Sequence, residues 1–587
     1  MKMDRLDKFI ILAFIILITS RFFMLNLFPI GISYDEMEYV LNAKAIFFTG
    51  KDVFQNWSPL SFTAIQAHGT ALAELPSVIL APIIGLASST LAGARLPYAI
   101  NGILIVILIY LICNKLFDKK VALISLLLSI FNPWLFHFSR TAYEAPLAIT
   151  FYLTAIYIFI KNKDWKLLWS LPFLILAFFS SHGTKMMIIP LVLVLLFWNY
   201  KYNFNKPKNI KPYFSILFIT TLIFLFFVLT INNQPAGNRA KEFFIYNSSI
   251  PNIVNQERQE AIQIPINSLF INKLTYLVKY FITNYISAFS PERLFVYGDG
   301  ISNSSYTFWK HGMFFILDFI FVILGIVIMY KKNYKAWLLL FILLIISPLP
   351  GVINKSAGQF SLRGALMFPL LIIFLGYGLK SFFSKYKSKL SITAIGLIYF
   401  FSIINFLHLY FIQYPIYGSS AYNFDNRILA KYVLLQNQYS PNKNITIVSN
   451  EPFGIFYQLL FFNNWYQNKS DVLVASQALK QLPIRYKNVT IQNNCQAINY
   501  DDLVIYFTLE ICTDGLEKFD TNYLSISSLT DSGEKFRILN DQLCSGVSHP
   551  NYYTVSNFNQ LNIEPMSVND FCSNWITKLS KGELSAF

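Results

Sequence analysis

The chain has 587 residues, of which 55% are hydrophobic, 17% aromatic and only 13% charged, with a formal net charge of +16. No soluble domain of this size is expected to be so apolar, and the apolar runs are continuous instead of alternating, which argues against a membrane β-barrel. Lys and Arg gather in short clusters between apolar runs, so the positive charge points to membrane orientation and away from nucleic acid. The expected fold class is a polytopic α-helical membrane protein.

Residues 9–28 form the first apolar run, long enough to cross a hydrocarbon core of about 30 Å once. Lys2, Arg5 and Lys8 precede it and no small-residue cleavage site is evident before Asp35, so it reads as a retained anchor. Further runs lie at 96–114, 121–137, 143–160, 167–181, 186–200, 213–231, 312–330, 336–349, 364–380 and 390–412, giving about eleven spans. The clusters Lys115/Lys119/Lys120, Lys161/Lys163/Lys166, Lys201/Lys206/Lys208/Lys211, Lys331/Lys332/Lys335 and Lys380/Lys385/Lys387/Lys389 then share one side with the N-terminus. By the positive-inside bias that side is cytoplasmic. The other side receives loops 29–95 and 232–311 and the tail. The expected domains are a transmembrane region, 1–412, and an extracytoplasmic soluble domain, 413–587.

Within the first outer loop, 75–91 is apolar but short and broken by Pro76, Pro82 and Gly85, which suggests an interfacial or re-entrant helix. The second outer loop has a short amphipathic candidate at 269–289. The tail has strand-like runs at 444–449, 471–475 and 503–507, with a helix expected at 453–462, which fits a small α/β or α+β domain. Four of the five cysteines, Cys495, Cys512, Cys544 and Cys572, lie in this tail. An even set in one polar region suggests disulfides on an oxidising side, with sequence neighbours the simplest pairing; reduced thiols are the alternative.

Four polar groups fall on the outer side in this topology. Tyr34, Asp35, Glu36 and Glu38 follow the first span, and Asp35 and Glu38 share a face on a helix. Ser33 and Glu36 have capping-box spacing, a plain structural reading for the acids. Arg140 and Glu144 lie at the next outer turn, where an exposed ion pair contributes little. His182 and Lys185 precede 186–200, and Lys185 could simply snorkel to the interface. Arg363 precedes 364–380. Taken together, acids and bases from four loops at one membrane face suit a site for a phosphate and a hydroxyl. Cations stabilise phosphate charge, Arg as a bidentate fork, and a carboxylate can accept a proton from an attacking hydroxyl.

The segments SYDEMEY, ARLPYAINGILIVILIYLICNKLF, NPWLFHFSRTAYEAPLA, HGTKMMIIPL and FSLRGALMFPLL resemble the membrane glycosyltransferases of the GT-C superfamily. The similarity is greatest to bacterial relatives of protein O-mannosyltransferases and of the lipid A aminoarabinose transferase, and covers roughly residues 1–410. The resemblance implies a polyprenyl-phosphate sugar donor at the outer leaflet of a bacterial inner membrane, a glycan, lipid or protein acceptor, and inversion at the anomeric carbon. It implies Asp35 as general base, with Glu36 and Glu144 shaping the site or binding the sugar or an ion. Lys185 and Arg363 would hold the lipid phosphate, assisted by Arg140; Tyr34, Glu38 and His182 are further site candidates. Asp35 and Glu36 are the residues for a divalent cation, magnesium or manganese, if one is used. The WWDYG motif of oligosaccharyltransferases is absent, which argues against transfer of a whole glycan to asparagine.

Two other classes are carried alongside. A transporter or flippase of lipid-linked glycans predicts charges in mid-span, for which Asp318 is the main candidate. A noncatalytic envelope assembly protein predicts that the outer acids are dispensable.

Overall fold

A computed structural model describes residues 5–59, 64–67, 70–202, 209–230, 249–299, 305–353, 360–495, 498–499, 501–507, 523–530, 533–550 and 553–578. Two compact units emerge. One comprises residues 1–23, 62–76 and 98–406; the other comprises 24–61, 77–97 and 407–587.

The first unit is helical. Its first helix, α1, is Arg5–Phe22. The other unit holds α2, Tyr34–Thr49, and α3, Pro76–Leu86. Then come α4, Leu91–Leu116, α5, Lys119–Ile130, α6, Pro133–Phe138, and α7, Glu144–Lys161. The expected span 121–137 is divided between α5 and α6, because Asn132 caps a new helix that begins with Pro133, a residue with no N–H to give. Next are α8, Ser170–Ser180, α9, Ile188–Tyr202, and α10, Lys211–Thr230. Helices Ile250–Gln259 and Lys273–Ala288 follow, the second at the amphipathic stretch expected at 269–289, and helices Asp318–Lys332, Tyr334–Ile346, Met367–Lys385 and Lys389–His408 complete the unit apart from its short turns.

Among the described residues, seven helical stretches are long and apolar enough to cross a membrane, from Leu91–Leu116 to Lys389–Tyr417. At a rise of about 1.5 Å per residue, α4 alone exceeds the hydrocarbon thickness. On α10, Phe214, Phe218 and Leu222 are more than half exposed, as on a helix whose solvent is lipid. The protein is an integral membrane protein. Its core includes Trp134 stacked on Phe368 at 4.6 Å.

The second unit carries a seven-stranded mixed sheet. Its strands are β3, Ile445–Val448, β4, Ile484–Tyr486, β5, Val489–Gln492, β6, Leu503–Phe507, β7, Leu524–Ser527, β8, Glu534–Leu539, and β9, Thr577–Lys578; β1 and β2, Ile65–Ala67 and Thr70–Leu72, belong to the first unit and pair antiparallel. The sheet order is β4-β5-β3-β6-β8-β7-β9. β3 runs parallel to both neighbours, with Ile447 opposite Ile491 and Ile505. All four residues of β3 are buried, as expected of a strand at the centre of a sheet covered on both faces. Helices Phe424–Tyr439, Pro452–Phe462 and Lys469–Ala478 belong to the same unit.

The expected strand at 471–475 is a helix instead. Asn468 caps it by accepting the Asp471 N–H, and Val472, Ala475, Ser476 and Ala478 are buried while Leu473 and Val474 are exposed. That three-to-four spacing is helical; the two β-branched residues, Val472 and Val474, were too few to outweigh it. Cys544 and Cys572 form a disulfide, and Cys495 is disulfide-bonded; Cys512 lies outside the described residues.

Candidate functional site

In the second unit, α2 begins with a complete capping box. Ser33 Oγ accepts the Glu36 N–H, and Glu36 Oε2 accepts the Ser33 N–H at 3.0 Å. This satisfies orphan donors of the first turn and places negative charge where the helix dipole favours it. Glu36 is fully buried, and its Oε1 lies 3.6 Å from Arg95 Nε. Arg95 also donates to the carbonyls of Pro29, at 2.7 Å, and Gly31. Asp35, one position earlier, is half-buried, and Glu38 is buried. The Tyr34 hydroxyl donates to Glu451, and burial together with that carboxylate pushes its pKa up.

The two acids therefore have different surroundings. One carboxylate is committed to a cap and an arginine; the other stands in the first turn of the same helix with part of its surface open. Both Glu36 oxygens face a donor or a cation, Oε2 the Ser33 N–H and Oε1 the Arg95 guanidinium. Among the described residues, no cluster of three or more His, Cys, Asp or Glu is placed to hold a metal.

In the first unit, Lys185 begins the turn that leads into α9. It is 1% exposed, and its Nζ lies 2.6 and 2.8 Å from the two oxygens of Glu74. Phe178, Phe179 and Phe227 surround the ammonium, with the Phe227 ring centroid at 4.6 Å. Next to Lys185 the chain passes close to Arg363: a Cβ on Gly183 would sit 3.4 Å from Arg363 Cγ. His182 and Arg363 are half-buried. The short helix that carries Arg363, Phe360–Arg363, is held through Ser361. Its N–H donates to Asp299 Oδ2 at 2.8 Å, and its carbonyl accepts Trp134 Nε1 at 2.8 Å. Burial raises the Asp299 carboxyl to about 6 against the opposing Ser361 bonds and Arg293, whose Nε is 3.7 Å away.

Arg140 is fully buried and donates to the carbonyls of Arg21 at 3.2 Å and Ser20 at 3.4 Å. Arg21 donates in turn to Ile130 at 2.7 Å, and the two guanidinium groups each lie over the Phe136 ring. Glu144 is half-buried at the first position of α7, a place that suits an acid. Asp318 also starts a helix. It accepts the Phe315 N–H at 2.9 Å and the Tyr399 hydroxyl at 2.6 Å, so its carboxylate serves a helix start.

Within one unit the structure thus joins Gly183 and Lys185 with Arg363 and Glu74, and within the other it joins Tyr34, Asp35 and Glu36 with Arg95 and Glu451. Sequence reasoning missed Arg95, Glu74, Asp299 and Arg21. A signal was present for three of them, since an ion beside or inside an apolar run requires a partner.

Residues 75–229 match the family model described as dolichyl-phosphate-mannose-protein mannosyltransferase. This match marks the chain as a glycosyltransferase. No curated protein matches it in sequence. Among solved structures, an oligosaccharyltransferase of Archaeoglobus fulgidus, tethered with an acceptor peptide, is similar at TM-score 0.43 and 14% identity, over 92% of this chain and 74% of that one. ArnT from Cupriavidus metallidurans bound to undecaprenyl phosphate is similar at TM-score 0.46 and 11% identity, over 90% of this chain and 97% of that one.

Proposed function

We propose that the protein transfers a sugar from a polyprenyl-phosphate donor to a hydroxyl acceptor at the extracytoplasmic face of a bacterial inner membrane, with inversion at the anomeric carbon. The observation that carries this reading is the difference between adjacent acids: Glu36 is fully buried against Arg95, while Asp35 is only half-buried in the first turn of α2, in a chain whose residues 75–229 match a lipid-phosphate-sugar transferase family.

In this reading Asp35 takes the proton of the acceptor hydroxyl as its oxygen bonds to the anomeric carbon. The bond from that carbon to the lipid-phosphate oxygen breaks, and the lipid phosphate leaves with its added negative charge. Cations near that phosphate lower the barrier. Arg363 makes the first contact. Lys185 joins it only when the pair with Glu74 opens, and Arg140 acts through the carbonyls it holds. Glu144, Glu38 and His182 shape the sugar and acceptor pockets. The Cys544–Cys572 disulfide supports an oxidising location for the tail, and the lysine clusters support a cytoplasmic N-terminus.

The test supplies purified protein in lipid with polyprenyl-phosphate sugars of differing headgroup and compares wild type with Asp35→Asn. Loss of transfer with an unchanged melting temperature is expected. Full activity in Asp35→Asn would remove the base assignment.

A further inference from the structure

Segment 29–32, just before the cap of the helix that carries Asp35, lies outside any strand or helix, and buried carbonyls need donors. Side chains supply them one after another. Arg95 takes Pro29 and Gly31, Arg427 takes Ile30, and Asn423 and Gln458 take Ile32 at 3.2 and 3.4 Å. Apart from Arg95, these donors lie about four hundred residues further along the chain, as their sequence separations of 397, 391 and 426 show. Tyr34 joins the same set through Glu451 and through Asn426 Nδ2 at 3.3 Å. A side chain at Gly31 would strike the Tyr422 carbonyl, so the approach of the tail is close.

Arg427 is the most constrained of the donors. It is 1% exposed, and besides Ile30 it holds Glu564 with a fork, Nε to Oε1 at 2.9 Å and Nη2 to Oε2 at 2.6 Å. Lys431 donates to the Glu564 carbonyl at 2.8 Å, which anchors that residue further. A planar guanidinium with three committed donors fixes direction as well as distance; a lysine cannot reproduce it.

We propose that Arg427 is a positioning residue for Asp35: helix Phe424–Tyr439 sets the path of the chain into the first turn of α2, so the region beyond residue 407 is part of the transfer machinery. The proposal rests on the reading of Asp35 as the base. A displacement of about 1 Å at a reacting group can cost about 10²-fold in rate, which gives a clamp of this kind its value.

The test uses full-length protein in lipid, with Arg427→Gln and Arg427→Lys. Amide hydrogen exchange at residues 30–37 is expected to accelerate about tenfold in Arg427→Gln while α7 is unchanged. Transfer should lose about 10- to 100-fold in kcat with the donor KM within about twofold, and Arg427→Lys should recover only part of the loss. If Arg427→Gln does not accumulate, Glu564→Gln, which loosens the fork and leaves the Ile30 contact, should give a smaller change of the same sign. Unchanged exchange at 30–37, or faster exchange with unchanged kcat, would overturn the proposal. If Asp35→Asn keeps full activity, the base assignment falls, and exchange alone then decides whether Arg427 fixes this segment.

Discussion

Glu36 Oε1 and Arg95 Nε lie 3.6 Å apart with both side chains fully buried, and Glu36 also closes the N-terminus of α2. One carboxylate thus joins an ion pair to a helix cap beside the residue assigned as base. Breaking a buried pair by removing one partner costs about 3–5 kcal/mol, because the other charge is left uncompensated. Glu36→Gln is expected to lower the melting temperature measurably. Asp35→Asn should leave melting nearly unchanged and reduce kcat by about 10²–10⁴-fold. Thermal unfolding in detergent and transfer assays on the same preparations separate the two effects.

Much of this was legible in the sequence, and the rest was not for a physical reason. Ser33 and Glu36 are three residues apart, so local spacing displays the cap. The partner of Lys185 is 111 residues away, and only folding brings Glu74 to it. Continuous apolar runs reveal helices because a span must bury or immerse every side chain in lipid. The run at 471–475 misled because β-branched residues favour strands only weakly and burial decided the outcome.

The pair Lys185–Glu74 separates structure from chemistry. Glu74→Gln is expected to destabilise by about 3–5 kcal/mol, since it strands a buried ammonium. The double change Glu74→Leu with Lys185→Met removes both charges and should restore much of that stability. If Lys185 contacts the departing phosphate, the double variant folds but stays deficient in kcat; recovery of full turnover would confine Lys185 to a structural role.

Asp299 gives a pH dependence with a defined sign. Its carboxyl titrates near 6 when folded, above the ordinary 3.8, so the folded state holds the proton more tightly than the unfolded chain. Its contribution to stability is therefore fully present below the unfolded value and is lost as pH rises through about 6, a change of up to about 3 kcal/mol. Melting followed from pH 4 to 7 should show this decline, and Asp299→Asn, which keeps an acceptor for Ser361, should flatten it.

The Cys544–Cys572 bridge closes a loop with a sequence separation of 28. Replacing both residues with Ser is expected to cost about 2–4 kcal/mol. Proteolysis of the tail should accelerate accordingly in the purified variant, whereas α7 should stay protected.

Residues 24–61 and 77–97 are made early in synthesis, yet the unit they belong to also needs residues 407–587. The surroundings of segment 29–34 are therefore completed only after residues 423–458 have been made. A chain truncated before residue 407 carries the helices of the first unit and lacks Arg427, Asn423 and Gln458, the donors to Ile30 and Ile32. On the reading of Asp35 as base and Arg427 as its positioning residue, such a chain would keep the acid while losing the donors that fix the path of the segment before it, and transfer would slow accordingly.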